Sequence, residues 1–327
     1  MTSHTKRAIV IGGGGVLGGT WAVGALKALE ESHGFSVNDV DLLIGTSAGS
    51  VLAALLANGV SIDELIQHYS DQKVTSGPLE GYQWDPTRAT GGGRPGSPRQ
   101  WLPGSLGLVG VGLRNLGKLP ATAVLSGLLP PGGKSLERVG HLIDAVTPMG
   151  GWIEHYDASG PELWIVAMDY DTGKRVVFGR PGSPRVALSD AVMASCAIPG
   201  WFTPVTIDGR TYIDGGAISA TSVDVVAEFD CDEVFVVAPM AATQSDNPSG
   251  VGAKLERRWR AHITRSAEEE IEIVKSAGAR VHFARPCPED LTAIGSNLMD
   301  SSRRLHVLET SLRTSSQAWR NVQDYSH

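Results

Sequence analysis

The segment VDLLIGTSAG, residues 40–49, places Ser47 between Gly45 and Gly49 directly after an apolar run. Small and apolar residues with helical character follow at 50–57. We therefore expect a strand, a tight turn and a helix, with the serine hydroxyl presented at the turn like a hydrolase nucleophile. The glycines make room for this strained turn. The N–H groups of the new helix favour negative charge beside the serine.

The composition narrows the class of protein. The chain has 327 residues and a net charge of −7, which suits one large α/β domain with insertions, or two domains, and does not suggest a nucleic-acid partner. Cys196, Cys231 and Cys287 are widely spaced and follow no disulfide or metal-binding pattern. We expect neither a signal peptide nor a spanning helix. The resulting expectation is a cytoplasmic protein whose contact with a membrane, if any, is peripheral.

Apolar strand-like runs alternate with amphipathic helical segments along most of the chain. This alternation predicts an α/β fold, a three-layer α/β/α arrangement with a mostly parallel central sheet. We expect strands at 7–11, 40–44, 163–168, 175–179, 205–213 (a hairpin), 233–238 and 280–284. We expect helices at 20–31, 50–57, 61–69, 135–146, 188–195, 254–277 and 302–321.

Residues 73–134 differ in character from the rest, being rich in Gly, Pro and Leu and poor in acidic side chains. We interpret them as an insertion outside the main sheet. Its apolar part, 105–129, is either a simple connector or a lid that covers an apolar ligand site. The expected organisation is one α/β domain over 6–327, including this insertion or cap and a C-terminal helical segment at 286–327.

A serine hydroxyl needs a base within hydrogen-bond reach to act as a nucleophile at neutral pH. Asp214 is the strongest candidate, because it ends a strand-like run and precedes Gly215 and Gly216. Partial burial can raise the pKa of such a carboxylate and make it a better base. None of the histidines stands in a loop after a strand with flanking glycines: His4, His33, His68, His141, His155, His262, His282, His306 and His327.

The glycine run at 12–18, GGGGVLG, follows the first predicted strand and allows two interpretations. It fits the GxGxxG pattern of dinucleotide-binding proteins, but that pattern requires an acidic residue at the end of the next strand. The next strand ends instead at Ser47. The other interpretation is an oxyanion hole, in which successive backbone N–H groups stabilise the negative oxygen formed when the serine attacks an ester.

The glycine loop, the GTSAG turn and Asp214-Gly215-Gly216, in this order, resemble the patatin-like phospholipase family, bacterial type. Further similarity lies in GALKALE at 24–30, DYDTG at 169–173, ASCAIP at 194–199 and FTPV at 202–205. The matching motifs cover roughly residues 7–72 and 160–240. The combination is specific, whereas the insertion and the C-terminal third match more loosely.

The resemblance implies a lipid acyl hydrolase with a Ser-Asp dyad, of the phospholipase A or carboxylesterase type. Ser47 would be the nucleophile, Asp214 the general base, and the loop glycines Gly13, Gly14 and Gly15 would surround the oxyanion. No histidine, cofactor, calcium or other metal is expected, and the partner is a lipid or ester substrate. The family usually carries Arg or Lys before the last glycine of the loop, where this chain has Leu17.

Three alternatives stay open on the sequence alone. An α/β-hydrolase with a Ser-His-Asp triad would depend on one of the histidines. A nucleotide-binding protein would use the N-terminal glycine loop and would be indifferent to Ser47. A lipid-binding or regulatory member of the same family with weak catalysis is suggested by Leu17.

Overall fold

The computed structural model describes residues 4–85, 89–90, 92–97, 102–114, 119–147, 151–152, 160–242 and 251–320. A single mixed sheet lies at its centre, with the strand order β5-β6-β3-β2-β1-β7-β8, and β4 pairs with β3. The strands are β1 (Arg7–Ile11), β2 (Leu42–Thr46), β3 (Glu162–Asp169), β4 (Arg175–Phe178), β5 (Val205–Ile207), β6 (Arg210–Asp214), β7 (Glu233–Val237) and β8 (Arg280–Ala284).

The middle of the sheet is parallel and one end of it is antiparallel. Strands β3, β2, β1, β7 and β8 run parallel to their neighbours in that order. Strands β4 and β6 pair antiparallel with β3, and β5 and β6 form an antiparallel hairpin. The expected three-layer α/β/α fold with a mostly parallel sheet is therefore confirmed.

Helices cover both faces of the sheet because the buried strands are apolar on both sides. Ile9 and Ile11 of β1 face a core formed largely with helices near the two ends of the chain. Ala8 and Val10 point to the opposite face, as the two-residue period of a strand requires. The helices are α1 (Gly15–His33), α2 (Ala48–Ala57), α3 (Ile62–Tyr69), α4 (Leu106–Arg114), α5 (Ala121–Leu128), α6 (Glu137–Val146), α7 (Leu188–Ser195), α8 (Val251–Ser276), α9 (Pro288–Ile294) and α10 (Arg304–Arg320).

Helices α4 and α5, which we call the insertion helices, lie within the segment expected to be an insertion. They pack on the end of the sheet through a small cluster that includes Leu108, Ala123 and Tyr170. The Tyr170 hydroxyl donates a 2.9 Å hydrogen bond to the Ser126 carbonyl. Thr122 Oγ1 donates to the carbonyl of Ala217, just beyond β6. Polar contacts therefore fix these helices to the turns after β3 and β6.

Two predicted boundaries differ from the structure near the site. Helix α1 begins at Gly15, five residues before the predicted start. The glycine-rich stretch reads as a loop from propensity, yet packing against Pro239 and Leu298 holds it in a helix. Strand β2 runs from Leu42 to Thr46, two residues later than predicted, so it ends directly before Ser47.

Candidate active site

Ser47 occupies a strained turn between β2 and α2. Its backbone has φ 54° and ψ −125°, a region that side chains seldom adopt and that is characteristic of functional sites. A Cβ atom at Gly49 would lie 2.0 Å from the Ile11 carbonyl oxygen, and one at Gly45 would lie 2.5 Å from the Gly49 carbonyl oxygen. The two glycines are therefore required because backbone segments approach each other here without room for side chains.

Ser195, at the end of α7, holds the backbone of the turn at Ser47. Its hydroxyl accepts a 2.8 Å hydrogen bond from the Ser47 N–H and donates a 2.6 Å bond to the Val166 carbonyl of β3. Ser195 is fully buried. One hydroxyl thus satisfies two backbone groups that the strained turn leaves without ladder partners.

Asp214 ends β6, where the chain enters a short 3₁₀ turn, Gly215–Ala217. Its N–H donates to the Ala197 carbonyl, and its carboxylate accepts a 2.7 Å hydrogen bond from the Gly216 N–H. A Cβ atom at Gly215 would lie 2.7 Å from the Val166 carbonyl oxygen, so this turn also lies close against β3.

The sheet brings Ser47 and Asp214 together although 167 positions separate them in the sequence. Strand β3 lies between β2 and β6, with Val166 opposite Thr46 and Ala167 opposite Asp214. The ends of β2 and β6 are consequently level with each other across one intervening strand. The Ser47 hydroxyl lies close enough to the Asp214 carboxyl to lower its pKa.

Burial raises the pKa of Asp214 to about 6, because a carboxylate without solvent is easier to keep protonated. The neighbouring Ser47 hydroxyl and the hydrogen bond from the Gly216 N–H act in the opposite direction and limit the rise in pKa. A carboxylate with a pKa near 6 is still ionised at neutral pH and is a stronger base than an exposed aspartate.

The glycine loop lies against the same site, but its amides are not equivalent. The Gly12 N–H donates to the Val237 carbonyl, and the Gly13 N–H donates to the Ala220 carbonyl at 2.8 Å. For Gly14 and Gly15 the structure gives no backbone acceptor among the described residues. Gly14 is the N-cap of α1 and no side chain caps this end of the helix. The N–H groups of Gly14 and Gly15 can therefore donate hydrogen bonds to an anion more readily than the Gly13 N–H.

Leu17, at the position where the resemblance leads one to expect a cation, lies within α1 and is fully buried in the core. Its N–H donates to the Leu298 carbonyl. The Leu17 position therefore contributes packing, and any stabilisation of an oxyanion must come from backbone amides and the start of α1.

Ser47, Asp214 and the loop glycines 13–15 line one cavity of about 540 Å³. This volume lies within the usual range for small-molecule sites. Leu125 of the insertion helices and His262 of α8 also line it. Among the described residues, His262 is the histidine found in these walls. His155 and His327 lie outside the described residues.

Within the part of the chain that the structure describes, no group of three or more His, Cys, Asp or Glu side chains is arranged to hold a metal ion. Over the same residues, no helix is both long and apolar enough to cross a bilayer.

Sequence reasoning missed two features of this site. Ser195 belongs to the ASCAIP motif at 194–199, which was recognised as family-like without a role for its serine. The bond from Gly13 to Ala220 joins segments 207 positions apart and leaves no local pattern in the sequence. A polar residue at the end of an apolar helix, as Ser195 is, was the signal available for the first.

The fold and the site define an α/β protein that places a strained serine and a buried carboxylate at the ends of two strands with one strand between them. The sequence profile of the family described as patatin-like phospholipase matches residues 9–227. This match spans more than half of the chain, and the chain therefore belongs to the patatin-like phospholipase family.

Solved structures of similar arrangement include VipD from Legionella pneumophila, at 13% identity and a TM-score of 0.44, with 97% of this chain and 67% of VipD covered. The type III effector protein ExoU matches at 15% identity and a TM-score of 0.33, over 97% of this chain and 53% of ExoU. ExoU from Pseudomonas aeruginosa in complex with SpcU matches at 18% identity and a TM-score of 0.31, over 95% of this chain and 53% of that one. The chain thus spans about half to two thirds of the length of these proteins.

Proposed function

We propose that this protein hydrolyses acyl esters of lipids, with Ser47 as the nucleophile and Asp214 as the general base. Membership of the patatin-like phospholipase family supports lipid acyl hydrolysis in general. The observation that carries the specific assignment is that the Ser47 and Asp214 side chains line the same large cavity, close enough for the Ser47 hydroxyl to lower the pKa of the Asp214 carboxyl.

In this mechanism Asp214 takes the proton of the Ser47 hydroxyl as Ser47 attacks the ester carbonyl carbon. The tetrahedral oxygen accepts hydrogen bonds from Gly14 and Gly15, aided by the positive end of α1. Gly13 borders the oxyanion but contributes less, because its N–H is already bonded to Ala220. One donor of this kind is worth about 3 kcal/mol of transition-state stabilisation.

The buried Leu17 keeps a second possibility under test, a family member that binds lipid and turns over slowly. It lacks a side-chain cation at the loop, so its oxyanion would depend on backbone donors alone. Such a protein would react with a covalent serine probe at Ser47 and yet hydrolyse esters at a rate close to that of Ser47→Ala.

The test uses a fluorophosphonate probe together with a short-chain p-nitrophenyl ester. We expect labelling of the wild type at Ser47, and a loss of kcat of at least about 10³-fold in both Ser47→Ala and Asp214→Asn. The matched controls are Ser76→Ala and Asp208→Asn, at exposed positions, which should keep wild-type rates. Full activity in Ser47→Ala would refute the assignment.

A further inference from the structure

Ser47 lies where two cavities meet. The wide cavity, of about 540 Å³, is the one described above. The narrow cavity, of about 80 Å³, also borders Ser47. Ser47, Gly15, Ile198 and Met299 line both of them. Among the described residues, Asp214 belongs to the walls of the wide cavity and not to those of the narrow one.

The walls of both cavities are predominantly apolar, and the cavities differ chiefly in size. The narrow cavity is surrounded mainly by apolar and aromatic side chains, among them Val51, Trp84, Leu136, Val139 and Phe202. The wide cavity combines apolar walls with polar groups such as His262, Ser266 and Asn297. A hydrocarbon chain suits the narrow cavity, and the wide cavity has room for a larger group whose polar atoms can meet these side chains.

We infer, on the basis of the proposed function, that the acyl chain of the substrate occupies the narrow cavity and the alcohol portion occupies the wide cavity. The position of Asp214 decides the orientation. The base that removes the serine proton must return it to the leaving oxygen, so that oxygen has to lie within reach of Asp214. The leaving alcohol therefore extends into the cavity that Asp214 lines.

The reaction balances in this orientation. The bond from Ser47 Oγ to the acyl carbon forms while the hydroxyl proton passes to Asp214. The tetrahedral intermediate then breaks its bond to the alcohol oxygen, which takes the proton from Asp214 and leaves through the wide cavity. Water attacks the acyl carbon, gives a proton to Asp214, and Ser47 recovers that proton as the carboxylic acid departs from the narrow cavity.

The size of the narrow cavity limits the acyl chain. A water-sized group takes about 10–15 Å³ of cavity volume, so the narrow cavity has room for roughly six such groups. Acyl chains of about six carbons should therefore fill it, and the rest of a longer chain would extend beyond its walls. The wide cavity, at about 540 Å³, places a weaker limit on the alcohol.

The test measures kcat/KM over two ester series. One varies the acyl chain from acetate to palmitate on p-nitrophenol, and the other varies the alcohol from ethyl to naphthyl on acetate. For the wild type we expect kcat/KM to rise at least tenfold from acetate to hexanoate and to change no more than about twofold from hexanoate to palmitate. Val51→Phe narrows the narrow cavity. It should lower kcat/KM for hexanoate relative to acetate at least tenfold and leave kcat/KM within twofold of wild type across the alcohol series.

Leu125→Trp is the matched change on the alcohol side, at a position that lines the wide cavity and is 55% exposed. It should alter kcat/KM across the alcohol series and leave the ratio of kcat/KM for hexanoate to that for acetate within twofold. Leu128→Trp, on the same helix and outside the walls of both cavities, should alter neither series. If Val51→Phe does not fold, Leu136→Ala replaces it and should raise octanoate relative to acetate.

The reverse pairing, with Val51→Phe acting on the alcohol series, would overturn the orientation. Equal effects on both series would overturn the separation into two subsites. Absence of fluorophosphonate labelling at Ser47 in the wild type would instead refute the proposed function, so the two failures are distinguishable.

Discussion

The turn at Ser47 and the insertion helices both border the wide cavity, but they differ in burial and in how they are held in place. The turn at Ser47 is buried, strained and fixed by backbone contacts with two neighbouring segments. The insertion helices present exposed leucines, with Leu106 at 74% and Leu125 at 55% exposure, and are attached by a few side-chain bonds. The sheet therefore fixes the positions of Ser47 and Asp214. The insertion helices, which are held by fewer contacts, form part of the cavity wall.

This difference explains how a segment of unusual composition can border the site. Ser47, Asp214 and Ser195 all take their positions from β2, β3 and β6 or from the helix that packs on them. The insertion helices contribute Thr122, Leu125 and Ser126 to the walls of the cavity. Variation in them should change which substrate enters and leave the dyad geometry intact.

A pair of glycine-to-alanine changes gives the largest expected contrast. Gly49→Ala would force a Cβ to within 2.0 Å of the Ile11 carbonyl oxygen, and nothing flexible can yield there. We expect a loss of about 3 kcal/mol or more in the free energy of unfolding, with little folded protein. The measurement is urea denaturation followed by circular dichroism.

The matched variant is Gly110→Ala in helix α4, where an added Cβ would meet nothing within 4 Å. Alanine is the better helix former, so this change should stabilise the protein by about 0.5–1 kcal/mol. Equal destabilisation by the two variants would show that the insertion helices are as tightly constrained as the turn at Ser47.

The next largest effect concerns the pH dependence of activity. Asp214 must be ionised to act as a base, and burial raises its pKa to about 6. kcat/KM for a non-ionisable ester should therefore rise about tenfold per unit up to pH 6 and then level off, which makes it roughly 100-fold lower at pH 4 than at pH 7. An exposed aspartate would place this rise near pH 4.

Asp171, which accepts a hydrogen bond from Ser105 beside the insertion helices, serves as the control carboxylate. Asp171→Asn should leave the midpoint of the pH profile unchanged. A midpoint of the pH profile near pH 4 in the wild type would contradict the assignment of the rise in kcat/KM to Asp214. A shift of the midpoint in Asp171→Asn would contradict it as well.

The sequence alone predicts the turn at Ser47, because the glycines of GTSAG permit this tight backbone conformation. Asp214 could be proposed from its position before two glycines, but its approach to Ser47 depends on β3 lying between β2 and β6, which is a long-range property. The start of α1 was predicted wrongly, since four consecutive glycines favour a loop until tertiary contacts with Pro239 and Leu298 are known. Local patterns predicted the elements, and sheet order decided which of them meet.

The smallest expected effect comes from loosening the insertion helices. Tyr170→Phe removes the hydrogen bond to the Ser126 carbonyl and leaves that buried acceptor unpaired. We expect a loss of about 1 kcal/mol in the free energy of unfolding. The rate of fluorophosphonate labelling at Ser47 should stay within twofold, because Tyr170 touches the insertion helices and not the dyad. KM for a long-alcohol ester should rise more than kcat falls.

Tyr82→Phe is the matched control, since Tyr82 is partly buried and its hydroxyl has no hydrogen-bond partner among the described residues. It should change neither stability nor KM. If Tyr170→Phe lowered kcat and the labelling rate together while KM stayed constant, the hydroxyl would be shown to support the dyad itself. The turn at Ser47 would then not be independent of the insertion helices, because a hydrogen bond to those helices would influence the geometry at Ser47.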